Sequence, residues 1–83
     1  MHITFSESAK RDIEGLPSKI RLGLKNKLAY WEAVPQPLDN AKPLTQHTEA
    51  THRFRFGAYR IIVKKIGNEL RILRVRHRKD VYR

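Results

Sequence analysis

The chain has 83 residues and a strongly basic composition, with 18 Lys and Arg against 8 Asp and Glu and a formal net charge of +10. This length allows one small hydrophobic core, so we expect a single domain over residues 1–83. The absence of cysteine excludes disulfides and cysteine-based zinc sites. The lack of a signal peptide and of any apolar run near the roughly 20 residues that span a bilayer predicts a soluble, cytoplasmic protein without membrane contact.

The first half of the chain predicts one strand and two helices. Residues His2–Phe5 read as a short strand, and Ser6 is a suitable N-cap for a helix that ends at Gly15. Pro17 fits the first turn of a second helix, which we expect to end near residues 31–34. An apolar stripe with helical spacing runs along this second helix: Ile20, Leu24, Leu28 and Trp31.

The second half of the chain changes to the period of two that is typical of strands. It follows a proline-rich loop that we predict over residues 35–43. Three strands are predicted, over residues 52–56, 59–66 and 69–76. The joints Gly57-Ala58 and Gly67-Asn68 are two residues long and contain glycine, as tight hairpins prefer. We expect an α+β fold, with the N-terminal strand and a helical hairpin packed on a small antiparallel sheet.

Almost all of the net charge belongs to the last third of the chain. Residues 51–83 contain eleven Lys and Arg against Glu69 and Asp80, a net charge of +9, and residues 1–50 contribute the remaining +1. A module with one neutral part and one strongly cationic part is typical of proteins that bind a polyanion. The anionic groups of such a partner are most often phosphates.

The first predicted hairpin separates aromatic and cationic side chains onto opposite faces. With Gly57 and Ala58 at the turn, Arg55 lies opposite Arg60, and Arg53 shares their face. The other face carries Phe54, Phe56, Tyr59, Ile61 and Val63. Like charges directly opposite each other destabilise a sheet, so we interpret the cluster as a site whose counter-charge is a ligand. Arginine suits phosphate because its planar group donates two hydrogen bonds; a solvated basic face is the alternative.

Simple alternation also predicts an apolar band beside the arginines. The cationic face continues into the third strand with Leu73 and Val75, and Ile62 lies between them and the arginines. Such a band is either covered by another chain or forms the floor of a groove. We favour a partner chain and assign these three residues to its contact.

The C-terminal residues add candidate groups but no metal site. Residues 77–83 read HRKDVYR. The histidines at positions 2, 47, 52 and 77 lack the paired spacing of metal ligands, so we expect neither a metal nor a cofactor. The sequence contains no carboxylate pair and no glycine-rich phosphate loop, which excludes glycosidase and nucleoside-triphosphate chemistry.

Taken together, these segments resemble the RelE/ParE superfamily of toxins from bacterial type II toxin–antitoxin systems. The most specific segments are Tyr59-Arg60-Ile61-Ile62 and the HRKDVY ending at residues 77–82, and the resemblance extends over the whole chain. It implies the RelE-like toxin fold. For the RelE-like branch it also implies that the toxin cleaves messenger RNA in the decoding site of the ribosome, without a metal. The implied reaction is attack of a ribose 2′-hydroxyl on the adjacent phosphate.

The resemblance also implies roles for individual residues. Arg60 and Arg78 match basic residues that stabilise the scissile phosphate, and Arg53 and Arg55 match a pair that positions the substrate. Tyr82 matches the terminal aromatic residue, which stacks on a base or takes part in proton transfer. Further RNA contacts are expected from Arg76 and Lys79.

Two residues are candidates for the general base. His77 is favoured by chemistry, since a free histidine titrates near about pH 6.5 and a free tyrosine near about pH 10. Neighbouring arginines would also lower the pKa of a tyrosine, so Tyr82 remains a candidate. Three positions depart from the family pattern: His52, Ala58 and Arg76. Arg76 stands where a glycine is common, and it either crowds the tail or adds an RNA contact.

Two other functions stay open at this point. The ParE-like branch inhibits DNA gyrase through protein contacts and needs no phosphate-binding cluster. A non-catalytic nucleic-acid-binding module, or a decayed toxin, predicts salt-sensitive binding without cleavage. For every toxin function the expected partner is a cognate antitoxin, acidic where it covers the arginines, with the ribosome and messenger RNA as targets of the nuclease. We expect the toxin alone to be a monomer and larger assemblies to require the antitoxin.

Overall fold

The computed structural model describes residues 1–45 and 49–81. His47 and Tyr82, which the sequence analysis considered, lie outside these residues. Along the described chain the elements follow in this order: β1 (His2–Phe5), α1 (Glu7–Glu14), α2 (Ser18–Ala33), a turn of 3₁₀ helix (Pro37–Asn40), β2 (Ala41–Pro43), β3 (His52–Phe56), β4 (Tyr59–Ile66), β5 (Glu69–His77) and α3 (Arg78–Val81). The predicted α+β class is confirmed. Among these helices none has the length and apolar character needed to cross a bilayer.

The strands of the described residues form one sheet in the order β1-β5-β4-β3-β2. The antiparallel meander β3-β4-β5 is as predicted. The N-terminal strand pairs with β5 in parallel, so the sheet is mixed. β2 lies at the opposite edge, antiparallel to β3, within the segment predicted as a loop. Its three residues end in a proline and are too few to show an alternating pattern, which explains why the sequence analysis missed it.

Both hairpins of the meander turn at a glycine. Gly57 has φ +56° and Gly67 has φ +58°, and no other described residue has a positive φ. Positive φ at the first central position is the mark of a type II′ turn, whose twist matches that of the flanking strands. The predicted hairpin joints are therefore confirmed, and each turn requires glycine at its first position.

The helices cover one face of the sheet and form the core with it. Ser6 caps α1, since its Oγ accepts a hydrogen bond from the Ala9 N–H at 3.0 Å. Trp31 of α2 packs on Phe54 of β3 with ring centroids 4.2 Å apart. The buried core consists of Ala9, Leu24, Trp31, Phe54, Ile61, Val63, Leu70, Ile72 and Val75. Each large side chain buried there contributes about 1.5–3 kcal/mol. We call the opposite face of the sheet the open face.

A β-bulge in β5 changes which residues reach the open face. Val63 pairs with Ile72, but the next residue, Ile62, pairs with Arg74, so one residue of β5 is extra. Beyond the bulge, Val75 lies opposite Ile61 and is only 4% exposed. The prediction that Val75 shares the face of the arginines and contacts a partner is therefore wrong. The physical reason is the one-residue shift, which moves every later side chain of β5 to the other face.

Helix α1 satisfies the backbone groups of β5 beyond the end of β1. The Ser6 Oγ donates to the Leu73 carbonyl at 2.8 Å, in addition to its capping role. The Asp12 carboxylate accepts from the Val75 N–H at 2.9 Å. These two side chains serve as hydrogen-bond partners for β5 where β1 has ended.

Candidate nucleic-acid interface

Three arginines form a row across the open face. Arg55 of β3 lies directly opposite Arg60 of β4, as predicted, and the bulge places Arg76 of β5 directly opposite Arg60 on its other side. Side chains on directly opposite residues have Cβ atoms roughly 4.5–5.5 Å apart. We call Arg55, Arg60 and Arg76 the arginine row. It concentrates three positive charges where a sheet normally avoids them.

The ion pairs formed by the described residues leave out the arginine row. In the described residues the ion pairs are His2–Glu32, Lys10–Glu7 and Arg74–Asp12. None of them includes a member of the row. Repulsion between the opposed guanidinium groups is an electrostatic cost, and an anion bound between them would remove it.

A shallow groove of about 280 Å³ adjoins the row. Its lining consists of Asn40, Ala41, Lys42, Arg53, Arg55 and Arg60. Lys42 of β2 pairs with Arg53 of β3, so the unexpected edge strand brings one more cation to the open face. Sequence reasoning missed Lys42 because a lone lysine beside a proline carries no signal of its own. Arg53 and Arg55 lie together in this lining, as predicted.

The Arg60 side chain is held by the turn of its own hairpin. Its Nη1 donates to the carbonyls of Gly57 and Tyr59, both at 3.0 Å. These bonds reduce the rotamer freedom of a long side chain before any ligand binds. A guanidinium group has five N–H donors, so several stay available for phosphate oxygens. The turn therefore restricts the orientation of the Arg60 side chain, while part of its hydrogen-bonding capacity stays available.

The tail starts beside the same turn. β5 continues to His77, and α3 begins at Arg78, whose N–H donates to the Ala58 carbonyl at 2.7 Å. This bond ties the start of α3 to the turn that also holds Arg60. The structure thus brings Arg78 and Lys79 to the end of the sheet that carries the arginine row, in agreement with the sequence analysis.

His77 does not share the face of the arginines. It pairs with Tyr59, and their rings meet edge to face with centroids 5.3 Å apart. Tyr59 packs against the core on the helix side of the sheet, and Arg60, the next residue, points to the opposite face. The bulge therefore places His77 on the helix side of the sheet, away from the face of Arg60, and its role as a general base stays a prediction.

Asp12 sets Arg74 apart from the other arginines of β5. Arg74 donates to the Asp12 carboxylate through Nε at 2.8 Å and Nη2 at 3.2 Å. Burial acts to raise the pKa of Asp12, but the hydrogen bonds from Arg74 and the Val75 N–H and the charges of Arg74 and Arg76 outweigh it, so this pKa lies below its ordinary value. The hydrogen bond to Asp12 raises the pKa of Arg74. Arg74 therefore has its counter-charge, whereas no ion pair within the described part of the chain includes Arg76.

One of the three predicted apolar contact residues lies on the open face beside the arginine row. Ile62 follows the alternation of β4 onto the open face, and Leu73 is the extra residue of the bulge. Both are half-buried, whereas Val75 belongs to the core. The open face therefore combines cationic and apolar groups, but its apolar part is smaller than predicted.

Comparison with known proteins identifies the family. The family model of the ParE toxin of type II toxin–antitoxin systems matches residues 3–82. The chain belongs to the RelE/ParE toxin family. It is 36% identical over 84 residues to Toxin RelG of Mycobacterium tuberculosis, an alignment that covers 98% of this chain and 94% of RelG. The resemblance stated from the sequence is thereby confirmed, and the chain is a toxin of a type II toxin–antitoxin system.

Solved structures support the same assignment for this RelE/ParE toxin. The toxin–antitoxin complex RelBE2 from M. tuberculosis contains a chain that is 29% identical and superimposes with a TM-score of 0.76, covering 92% of this chain and 95% of the other. The RelB–RelE complex from Methanococcus jannaschii is matched at 26% identity and a TM-score of 0.71, with 95% and 94% covered. The RelE-like toxin fold is thereby confirmed.

Proposed function

We propose that this toxin is a ribosome-dependent endoribonuclease that cleaves messenger RNA in the decoding site and so inhibits translation. The arginine row is the observation that carries the proposal, since a toxin that acts only through protein contacts needs no unneutralised phosphate-binding cluster. The similarity to RelG and to chains of RelB–RelE complexes favours the RelE-like branch.

The proposed reaction is an intramolecular transesterification of the RNA phosphodiester. The ribose 2′-oxygen attacks the adjacent phosphate, its proton passes to a base, and the 5′-oxygen leaves with a proton. The products are a 2′,3′-cyclic phosphate and a 5′-hydroxyl, and the reaction needs no metal. Negative charge grows on the phosphate oxygens in the transition state, where fixed cations are most effective. We assign this stabilisation to Arg60, Arg76 and Arg78.

The remaining cations would position the RNA strand. Arg53, Arg55 and Lys42 line the groove beside Arg60, and Lys79 follows Arg78 in α3. Contacts from these residues to neighbouring phosphates fix the register of a strand without reading its sequence. Tyr82 keeps its proposed role in base stacking or proton transfer.

We expect dependence on the ribosome because few acid–base groups of the described residues lie near the arginine row. An enzyme with weak acid–base catalysis relies on holding its reactants in an attack geometry, which contributes up to about 7–11 kcal/mol. The ribosome would hold the messenger in that geometry, and we expect slow cleavage of free RNA.

Mapping of 5′ ends in a reconstituted translation reaction tests the proposal. We expect the wild-type toxin to cut the message within codons only when ribosomes are present, and the Arg60→Ala variant to lose this activity by at least about a hundredfold, as for other transition-state donors. An uncut message with folded wild-type toxin would refute the nuclease function.

Inhibition of DNA gyrase is the second candidate function, because the matching family model is named for the ParE toxin. It predicts that the toxin blocks supercoiling by purified gyrase and leaves ribosome-bound messages intact. Loss of supercoiling in that assay, combined with an uncut message, would favour this function over the nuclease.

We further propose a cognate antitoxin as the physiological partner, since the matched solved structures include RelB–RelE complexes. An acidic segment laid over the arginine row would neutralise it, and apolar side chains of the same segment would contact Ile62 and Leu73. Charge reversal at Arg55 or Arg60 should then weaken the complex. The free toxin should behave as a monomer in light scattering.

A further inference from the structure

His77 stands at the junction between β5 and α3, where the chain changes direction. Its ring contacts the Tyr59 ring at a centroid distance of 5.3 Å and an interplanar angle of 82°. The side chain is half-buried. An edge-to-face aromatic contact of this kind contributes about 0.5–1.5 kcal/mol beyond the buried area. The contact therefore restricts the plane of the ring.

The ring also caps the helix that follows. The Nδ1 atom accepts a hydrogen bond from the Lys79 N–H at 3.2 Å. The first N–H groups of a helix have no partner within it, and a side-chain acceptor on the residue just before the helix satisfies the second or third of them. Lys79 is the second residue of α3. His77 thus occupies the N-cap position.

The other anchor of α3 is the turn of the first hairpin. The Arg78 N–H donates to the Ala58 carbonyl at 2.7 Å, and the same turn holds Arg60 through the Gly57 carbonyl. The first N–H group of α3 is bound by the turn and the second by His77. The two bonds together set where Arg78 stands relative to Arg60.

We propose that His77 is a positioning residue that caps α3 and so holds Arg78 at the phosphate site. The catalytic consequence rests on the proposed nuclease function; the capping itself does not. This role differs from that of a general base in its chemistry. A base must face the substrate and have a ring nitrogen free to accept a proton. The Nδ1 of His77 instead accepts a hydrogen bond from the Lys79 N–H, and the residue lies on the face opposite Arg60.

Substitutions that mimic one ring nitrogen at a time separate the two roles. In His77→Asn the amide oxygen occupies the region of Nδ1 and can cap α3, but it cannot act as a base. In His77→Gln the oxygen lies nearer the region of Nε2, and in His77→Ala both acceptors are lost. His2→Ala is the matched control, since His2 pairs with Glu69 at the far end of β5.

The first measurement is the rate of ribosome-dependent cleavage by these variants. Positioning predicts that His77→Asn stays within about threefold of wild type, while His77→Ala and His77→Gln fall by about fivefold, the factor that corresponds to losing one helix cap. Removal of a general base costs about 10²–10⁴ in rate and is not rescued by asparagine. Equal losses of that size in all three variants would overturn the proposal, as would wild-type rates in all three.

The second measurement does not depend on cleavage. Amide hydrogen exchange reports the Lys79 N–H directly, and we expect His77→Ala to exchange about fivefold faster there than wild type or His77→Asn. If the wild-type toxin cuts no message, the nuclease function fails while this result still supports the cap. Equal exchange of the Lys79 amide in wild type and His77→Ala would overturn the cap whatever the function.

Discussion

Asp12 offers the sharpest test of how α1 holds the bulged part of β5. Its carboxylate accepts hydrogen bonds from Arg74 Nε at 2.8 Å, Arg74 Nη2 at 3.2 Å and the Val75 N–H at 2.9 Å. The Asp12→Ala substitution leaves the Val75 N–H without its partner, which costs about 1–3 kcal/mol. The Arg74 ion pair adds at most about 1 kcal/mol, because Arg74 is 44% exposed and solvent screens it.

We therefore expect Asp12→Ala to lower the free energy of unfolding by about 2–3 kcal/mol. In a domain of this size that corresponds to a fall in Tm of about 10–15 °C. Asp12→Asn is the matched control, because an amide oxygen still accepts from Val75 but carries no charge. It should lose about 1 kcal/mol.

The difference between wild type and Asp12→Asn should depend on pH. Because the pKa of Asp12 is lower in the folded protein than its ordinary value, its charge stabilises the fold fully above the unfolded pKa of about 4. That stabilisation is lost as the pH falls through the folded pKa. The two proteins should thus differ at pH 7 and converge in strong acid.

Urea unfolding followed by the fluorescence of Trp31, the single tryptophan, gives these free energies. Trp31 is buried against Phe54, so its emission reports loss of the core. A loss below about 0.5 kcal/mol for Asp12→Ala, the size of an ordinary surface substitution, would refute the assigned role. A gap between wild type and Asp12→Asn that persists unchanged in strong acid would refute the electrostatic part.

Two further predictions concern the turns and the bulge. Gly57→Ala and Gly67→Ala should each lower the free energy of unfolding by about 1–2 kcal/mol, measured by thermal unfolding. An added Cβ meets no neighbour at either position, so only the positive φ is unfavourable. Variants as stable as wild type would contradict the turn assignment. Val75→Asp should prevent folding, because it places a charge in the core, while Leu73→Asp should give a folded protein by circular dichroism. If Val75→Asp folds and Leu73→Asp does not, the bulge is assigned to the wrong position.

The meander was predictable because its signals are local. Each hairpin has a glycine at the position that needs positive φ, and aromatic and arginine residues alternate in between. Ser6 and Gly15 likewise marked the ends of α1. Arg55 facing Arg60 followed directly from the turn, so part of the arginine row was visible in the sequence.

The rest of the site depends on irregularity that alternation does not reveal. The bulge brings Arg76 to the arginine row and places Val75 and His77 on the helix side of the sheet. A signal was present, since the alternation of apolar and arginine residues in β5 is interrupted by the adjacent apolar pair Ile72-Leu73. β2 has no comparable signal, because the pairing of Ala41–Pro43 is decided by its neighbour β3. Tyr82 lies outside the described residues, and its role stays a prediction.

The most direct test of the central claim compares Arg76→Ala with Arg74→Ala. The two residues are two positions apart in β5 and each substitution removes one positive charge, but Arg76 faces Arg60 and Arg74 is paired with Asp12. In 5′-end mapping with ribosomes, the account predicts that Arg76→Ala lowers cleavage by at least about a hundredfold and that Arg74→Ala, while folded, cuts like wild type. Equal losses in both variants would show that net charge alone matters, and would contradict the arginine row as the phosphate site.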